Sequence, residues 1–166
     1  LLKEAHSEEI IAILAKYPPE HSRSAVMPLL FLAQRTYGYL DRQAVEEVAG
    51  LLGLESTEVA SLIGFYTLFH DRPGGTYRIQ ICTDLPCALR GAEGFATQVC
   101  ASLGVGRGET TADGLLTVEE VKCLAACDRA PMFQLQAPDG IHYYEDQTIE
   151  SVKALVAELR REKPNG

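Results

Sequence analysis

Ile81-Cys82-Thr83-Asp84-Leu85-Pro86-Cys87, and further on Cys123-Leu124-Ala125-Ala126-Cys127, are the two stretches around which this chain is organised. The first is a C-x4-C clip and the second a C-x3-C clip. Four thiols in two close pairs can meet at one point as a tetrathiolate cage. Two irons bridged by two sulfides need four terminal thiolates, two on each iron. A zinc ion takes four thiolates equally well on ligand count alone. Neither clip is C-x2-C, so neither a zinc ribbon nor a thioredoxin active site is the natural reading. The plant-type and bacterial two-cluster ferredoxin spacings do not match either. Structural zinc, disulfides and plain core cysteines stay open as alternatives.

Composition narrows the choice. The 166 residues amount to one domain or two small ones. An apolar fraction of 46% is ordinary for a globular protein and allows a sizeable core. The formal charge of −8 repels duplex nucleic acid. No apolar run reaches membrane-spanning length, and no signal-peptide pattern opens the sequence. Residue 1 is Leu, so a trimmed start is expected. A reducing compartment is the expectation, and there paired cysteines favour metal over disulfide. The fifth cysteine, Cys100, makes the count odd, which weakens a disulfide framework further.

Upstream of the clips the chain reads as successive helices. Ser7 is placed to cap a helix over 8–16, with Ile10, Ile11, Leu14 and Tyr17 on one side, broken by Pro18-Pro19. A second helix is expected from Ser22 or Ser24 to Tyr37. Pro28 makes it start late or bend, and Gly38 stops it. Asp41 caps a third, which carries Val45, Val48, Ala49 and Leu52 and ends at Gly53. Ser56 caps a fourth, expected over 57–70 and apolar nearly all round, as in a buried helix. Asp71-Arg72-Pro73-Gly74-Gly75 is the clearest boundary, giving a helical domain over 1–72 and a second domain over 73–166.

Beyond that boundary the hydrophobic period changes. Strands are expected at 77–82, 115–121, 132–136 and 141–144. Helices are expected at 89–103, with Phe95, Ala96 and Val99 inward, and at about 148–161, with Val152, Leu155, Val156 and Leu159 inward. Residues 162–166 read as a polar tail. The order β-α-β-β-β-α predicts an α+β or α/β fold with helices on a mixed four-stranded sheet. Each clip then begins where a strand has just ended. Pro86 stiffens the first loop, and Ala125 and Ala126 let the second curl closely around an inorganic core. Backbone N–H groups there can point at sulfur and help set a reduction potential.

The remaining residues divide more plainly. Lys122 and Arg129 flank the second clip and favour a gain of negative charge, which Asp128 opposes. Replacing Arg129 with Glu is expected to lower the midpoint. Cys100 sits beside its helix stripe as a packed small hydrophobe. None of His6, His21, His70 or His142 falls within a clip, against a Rieske site. The helices over 41–70 imitate a helix-turn-helix, yet residues 57–70 hold no Lys or Arg to read DNA. Phe65, Tyr66 and Phe69 read as core or as a partner surface.

With these residues laid out, nearly the whole chain resembles the E subunit of bacterial NADH:quinone oxidoreductase (respiratory complex I), the thioredoxin-like [2Fe-2S] ferredoxin subunit. The resemblance lies in Tyr37-Gly38-Tyr39-Leu40, Glu58-Val59, Gly64-Phe65-Tyr66 with Phe69, and Ile81-Cys82 through Cys87. It continues in Leu103-Gly104-Val105, Gly108-Glu109-Thr110-Thr111, Asp113-Gly114, Val121-Lys122-Cys123-Leu124 through Cys127, and Ala130-Pro131. Cys82, Cys87, Cys123 and Cys127 match that family's cluster ligands one for one. The departure is Ala125, where the family usually has Gly. If φ is positive there, Ala is strained.

The resemblance implies a helical N-terminal region followed by a thioredoxin-like fold holding one [2Fe-2S] cluster. It implies a flavoprotein partner that binds FMN and NADH and exchanges electrons with the cluster. Gly74-Gly75 precedes a strand instead of joining strand to helix, so this chain has no dinucleotide fingerprint of its own. The implied place is the cytoplasmic, peripheral arm of an inner-membrane complex, among other peripheral subunits, with no direct membrane contact. Diaphorase subunits of NAD-linked hydrogenases and formate dehydrogenases share the pattern. A zinc-stapled interaction module without redox activity is the reading from a different class.

Overall fold

Caps, glycines and prolines set the helices of the first half. The computed structural model describes residues 1–162, in two compact units, Leu1–Pro73 and a second that begins at Gly74. In the first unit, α1 (Leu2–Ala5) and α2 (Ser7–Leu14) are followed by a 3-10 turn over Pro19–Ala25. Then come α3 (Val26–Tyr37), α4 (Arg42–Leu52) and α5 (Ser56–Phe65). The Asp41 carboxylate accepts from the Ala44 N–H at 2.9 Å and starts α4. Gly38 (φ 83°) and Gly53 (φ 65°) end α3 and α4 in the left-handed conformation. Pro28 falls in the first turn of α3, where its missing N–H costs no helical bond.

Several expectations change in this unit. Ser7 lies inside α2, which His6 caps. Ile10 and Ile13 are the buried pair of α2, one turn apart, while Ile11 is 67% exposed. The fourth helix starts at Ser56, with Glu55 as its cap, and stops at Phe65 instead of His70. Its end is decided from outside. The Gln34 side chain on α3 donates to the Leu68 carbonyl and accepts from the His70 N–H, both at 2.8 Å. The Leu40 N–H donates to the His70 carbonyl at 2.7 Å. Backbone groups that a longer helix would use internally are held elsewhere. Phe65 is 77% exposed and Tyr66 is exposed, so α5 is not buried all round; only Phe69 of that trio is core.

The second unit runs β1 (Tyr77–Cys82), α6 (Leu85–Leu89), α7 (Ala92–Leu103), β2 (Leu116–Val121), a 3-10 turn over Cys127–Arg129, β3 (Phe133–Ala137), β4 (Gly140–Tyr144) and α8 (Ile149–Glu162). The sheet order is β2-β1-β3-β4, with β1 parallel to β2 and the other pairings antiparallel. This is the mixed four-stranded sheet expected, preceded by helices. Ile79, Ile81, Val118, Phe133 and Leu135 pack with Phe95, Val99, Val152 and Val156 from α7 and α8. Alternate positions turn the other way. There the Gln80 carboxamide, fully buried, accepts from Gln136 at 3.2 Å and donates to Glu119 at 2.9 Å. Satisfied this way, a buried amide is tolerated in the centre of a sheet.

Two details differ from expectation here. The helix expected over 89–103 is α7, which starts only at Ala92 after a Gly91 cap (φ 90°), while Leu89 ends the preceding α6. Glu162, expected in a polar tail, lies in α8; the rest of the expected tail lies outside the described residues.

Candidate metal centre

The parallel pairing of β1 with β2 builds the site. Cys82, the last residue of β1, stands opposite Val121, the last of β2. Both chains therefore leave the sheet at the same edge, and the Thr83 N–H closes the junction on the Val121 carbonyl at 3.1 Å. The first clip is a helical turn, not the open loop expected. The Asp84 carboxylate caps it by accepting from the Leu85 N–H at 3.0 Å, and Pro86 sits in its first turn. Cys87 is carried on that turn. Cys82 and Cys87 are each only 1% exposed and lie in a small core with Ala92, Ala130 and Met132; Leu124, Ala126 and Cys127 pack against it.

The second clip curls through two left-handed residues, Cys123 (φ 57°) and Ala125 (φ 60°). This is the strained conformation foreseen for Ala125. The Asp84, Leu124 and Cys123 N–H groups bond the Cys82 sulfur. Burial pushes that thiol upward, but these bonds, with one from Cys87, outweigh it and hold Cys82 below the usual thiol range. Cys87 goes the other way, to about 12: burial raises it first, then the bond and charge of Cys82, then Cys127. Cys82, Cys87 and Cys127 thus interact side chain to side chain, whereas Cys123 stands exposed at the rim.

Among the described residues, no three His, Cys, Asp or Glu side chains converge as the ligands of one ion. Four thiols in two pairs are the donor set a two-iron core takes, two on each iron, and the backbone N–H groups of Asp84, Leu124 and Cys123 are directed at sulfur.

Two contacts around the clips had no signature in the sequence. The Lys122 Nζ donates to the Thr83 hydroxyl at 3.0 Å and to its carbonyl at 3.4 Å. The Arg90 Nε donates to the Ala130 carbonyl at 3.3 Å, just before the cis Ala130–Pro131 peptide. Arg129, expected to face the clips, pairs with Glu145 at 3.3 Å and Asp146 at 2.7 Å. Cys100 is buried in the α7 core, away from the clip residues in the packing. No helix among the described residues is long and apolar enough to cross a membrane.

Comparison with known proteins gives a consistent set. The sequence profile described as thioredoxin-like [2Fe-2S] ferredoxin matches residues 10–160. The E 2 subunit of NADH-quinone oxidoreductase from Rhizobium meliloti is 41% identical over 153 residues, 92% of this chain and 88% of that protein. Subunit 2 of the NADH-quinone oxidoreductase from Thermus thermophilus is 41% identical over 149 residues, 90% of this chain and 81% of that protein. Among solved structures, an NAD+-reducing [NiFe]-hydrogenase in the air-oxidized state shares the fold, with a TM-score of 0.66 at 24% identity. That match covers 82% of this chain and 23% of the hydrogenase chain.

Proposed function

Because the chain belongs to the thioredoxin-like [2Fe-2S] ferredoxin family, we propose that it is the electron-transfer subunit of an NADH:quinone oxidoreductase, holding one cluster on Cys82, Cys87, Cys123 and Cys127. The observation that carries this reading is the in-register parallel pairing that brings both clips off one sheet edge. The bound cluster would supply one-electron storage beside a two-electron donor. The chain's own residues do the rest. The Asp84, Cys123 and Leu124 N–H groups stabilise negative charge on the Cys82 sulfur. Met132, Ala92 and Ala130 keep water from the inner pair of thiols. Cys123 and Cys127, less buried, form the side from which an electron arrives.

The donor is the FMN of a partner flavoprotein, which also takes NADH. The chain stands in the peripheral, cytoplasmic arm with the other hydrophilic subunits. Purification of the full chain tests the reading. About two irons and two labile sulfides per chain are expected, with visible absorbance that bleaches under dithionite. Serine at Cys82, Cys87, Cys123 or Cys127 should weaken that spectrum. A colourless chain holding one zinc would overturn the proposal. Gentle isolation from the native source should bring a flavoprotein with it.

A further inference from the structure

Lys122 belongs to the second clip in sequence and to the first clip in space. It precedes Cys123 directly, and its ammonium group lies on Thr83, the residue directly after Cys82. The span is fixed at both ends. Thr83 is buried, and its N–H is already bound to the Val121 carbonyl at 3.1 Å, next to Lys122 itself. The two oxygens that Lys122 meets are uncharged, so this contact does not offset the charge of the ammonium group. Arg129, the other cation near the second clip, is drawn onto Glu145 and Asp146 instead.

We infer that Lys122 is a positioning residue that ties the two cysteine loops together and, through its charge, raises the midpoint of the centre they hold. The inference rests on the [2Fe-2S] reading above. Accepting one electron makes a four-thiolate centre more negative by one charge. A cation anchored at the junction of the loops favours that reduced state. Lys122 is exposed, so the effect is moderate and is screened by salt.

The test is a mediated redox titration of the full, cluster-loaded chain at low and high salt, read by visible absorbance. Lys122→Gln removes the charge. It should lower the reduction equilibrium about threefold, a fall of about 30 mV at 59 mV per tenfold for one electron, and the fall should shrink at high salt. Lys122→Arg should restore the original value. Thr83→Val keeps the charge but removes the shorter of its two bonds, and it should give a smaller fall and faster cluster loss to a chelator. An intact Lys122→Gln cluster with an unchanged midpoint overturns the inference. If Lys122→Gln does not hold its cluster, Thr83→Val decides: a lowered midpoint supports the inference and an unchanged one overturns it. Failure of the underlying [2Fe-2S] reading would be visible earlier, as an unaltered chain without the iron and sulfide expected above.

Discussion

The guanidinium of Arg129 lies 2.7 Å from the carboxylate of Asp146, and the Asp146 N–H returns a bond to the Arg129 carbonyl at 2.8 Å. Two residues past a cysteine, this side chain is turned toward the segment that follows β4 and is half exposed. Its charge is offset by the Glu145 and Asp146 carboxylates, whereas Lys122 lies on uncharged oxygens. Arg129→Gln should therefore move the midpoint down by less than Lys122→Gln does, with stability changed by under about 1 kcal/mol. Redox titration of the two variants side by side checks the order.

Ala125 is the second prediction. At φ 60° it occupies a conformation that costs an L-residue about 1–2 kcal/mol. Glycine removes that strain and gives back part of the gain as unfolded-state entropy. Ala125→Gly should stabilise the cluster-loaded chain by about 0.5–1 kcal/mol. Denaturant titration followed at the visible absorbance measures it. A destabilised variant would mean that the methyl group packs usefully in the loop.

Cys100 is the third. It is 7% exposed in the core under α7, among Phe95, Val99 and Leu116, and burial pushes its thiol upward. Cys100→Ser should leave iron content and visible spectrum unchanged and cost about 1–3 kcal/mol by burying a hydroxyl. Bleaching in this variant would put Cys100 among the ligands.

The fourth concerns Tyr37 and Glu47 in the helical unit. The phenol donates to the carboxylate at 2.9 Å, and the Leu2 N–H donates to the same oxygen at 2.6 Å. Burial, then the bond and charge of Glu47, push Tyr37 up to about 12. For Glu47, burial acts upward but is outweighed by the bonds from Gln43, Leu2 and Tyr37, so it titrates below its usual range. The signs follow from which state holds the proton. Stability from Tyr37 is complete below about pH 10 and is lost as pH rises toward 12. Stability from Glu47 is present above about pH 4.5 and is lost as pH falls through its lowered value. Tyr37→Phe should cost about 1–2 kcal/mol at pH 7 and flatten the alkaline limb. Denaturation midpoints across the pH range, followed by far-ultraviolet circular dichroism, report both.

Much of this molecule was legible locally. Asp41, Gly38 and Gly53 mark helix ends through bonds to residues three or four positions away, and those spacings lie in the sequence. The shift from helical to strand period after Gly75 marks where the sheet begins. The cysteine pairs and their spacing are legible as a thiolate donor set, and the family resemblance, which puts Gly where this chain has Ala125, pointed to the positive φ found there. Missed features were of another kind. Phe65 ends its helix because Gln34 takes groups from Leu68 and His70. Ile13, not Ile11, joins Ile10 in the core, because which side of a helix is buried depends on what packs against it.

By itself, then, the sequence determined which residue types the centre offers, the order of helices and strands around it, and the family to which the chain belongs. Only the tertiary structure decided that β1 and β2 run parallel in register, which brings Cys82 and Cys123 off one edge. Only it turned Arg129 away and laid Lys122 on Thr83, 39 residues back along the chain. The physical reason is reach. Capping and periodicity act over a turn or a pleat and leave a local pattern, whereas a bond between residues far apart in the chain depends on which faces pack, and no neighbouring residue records it.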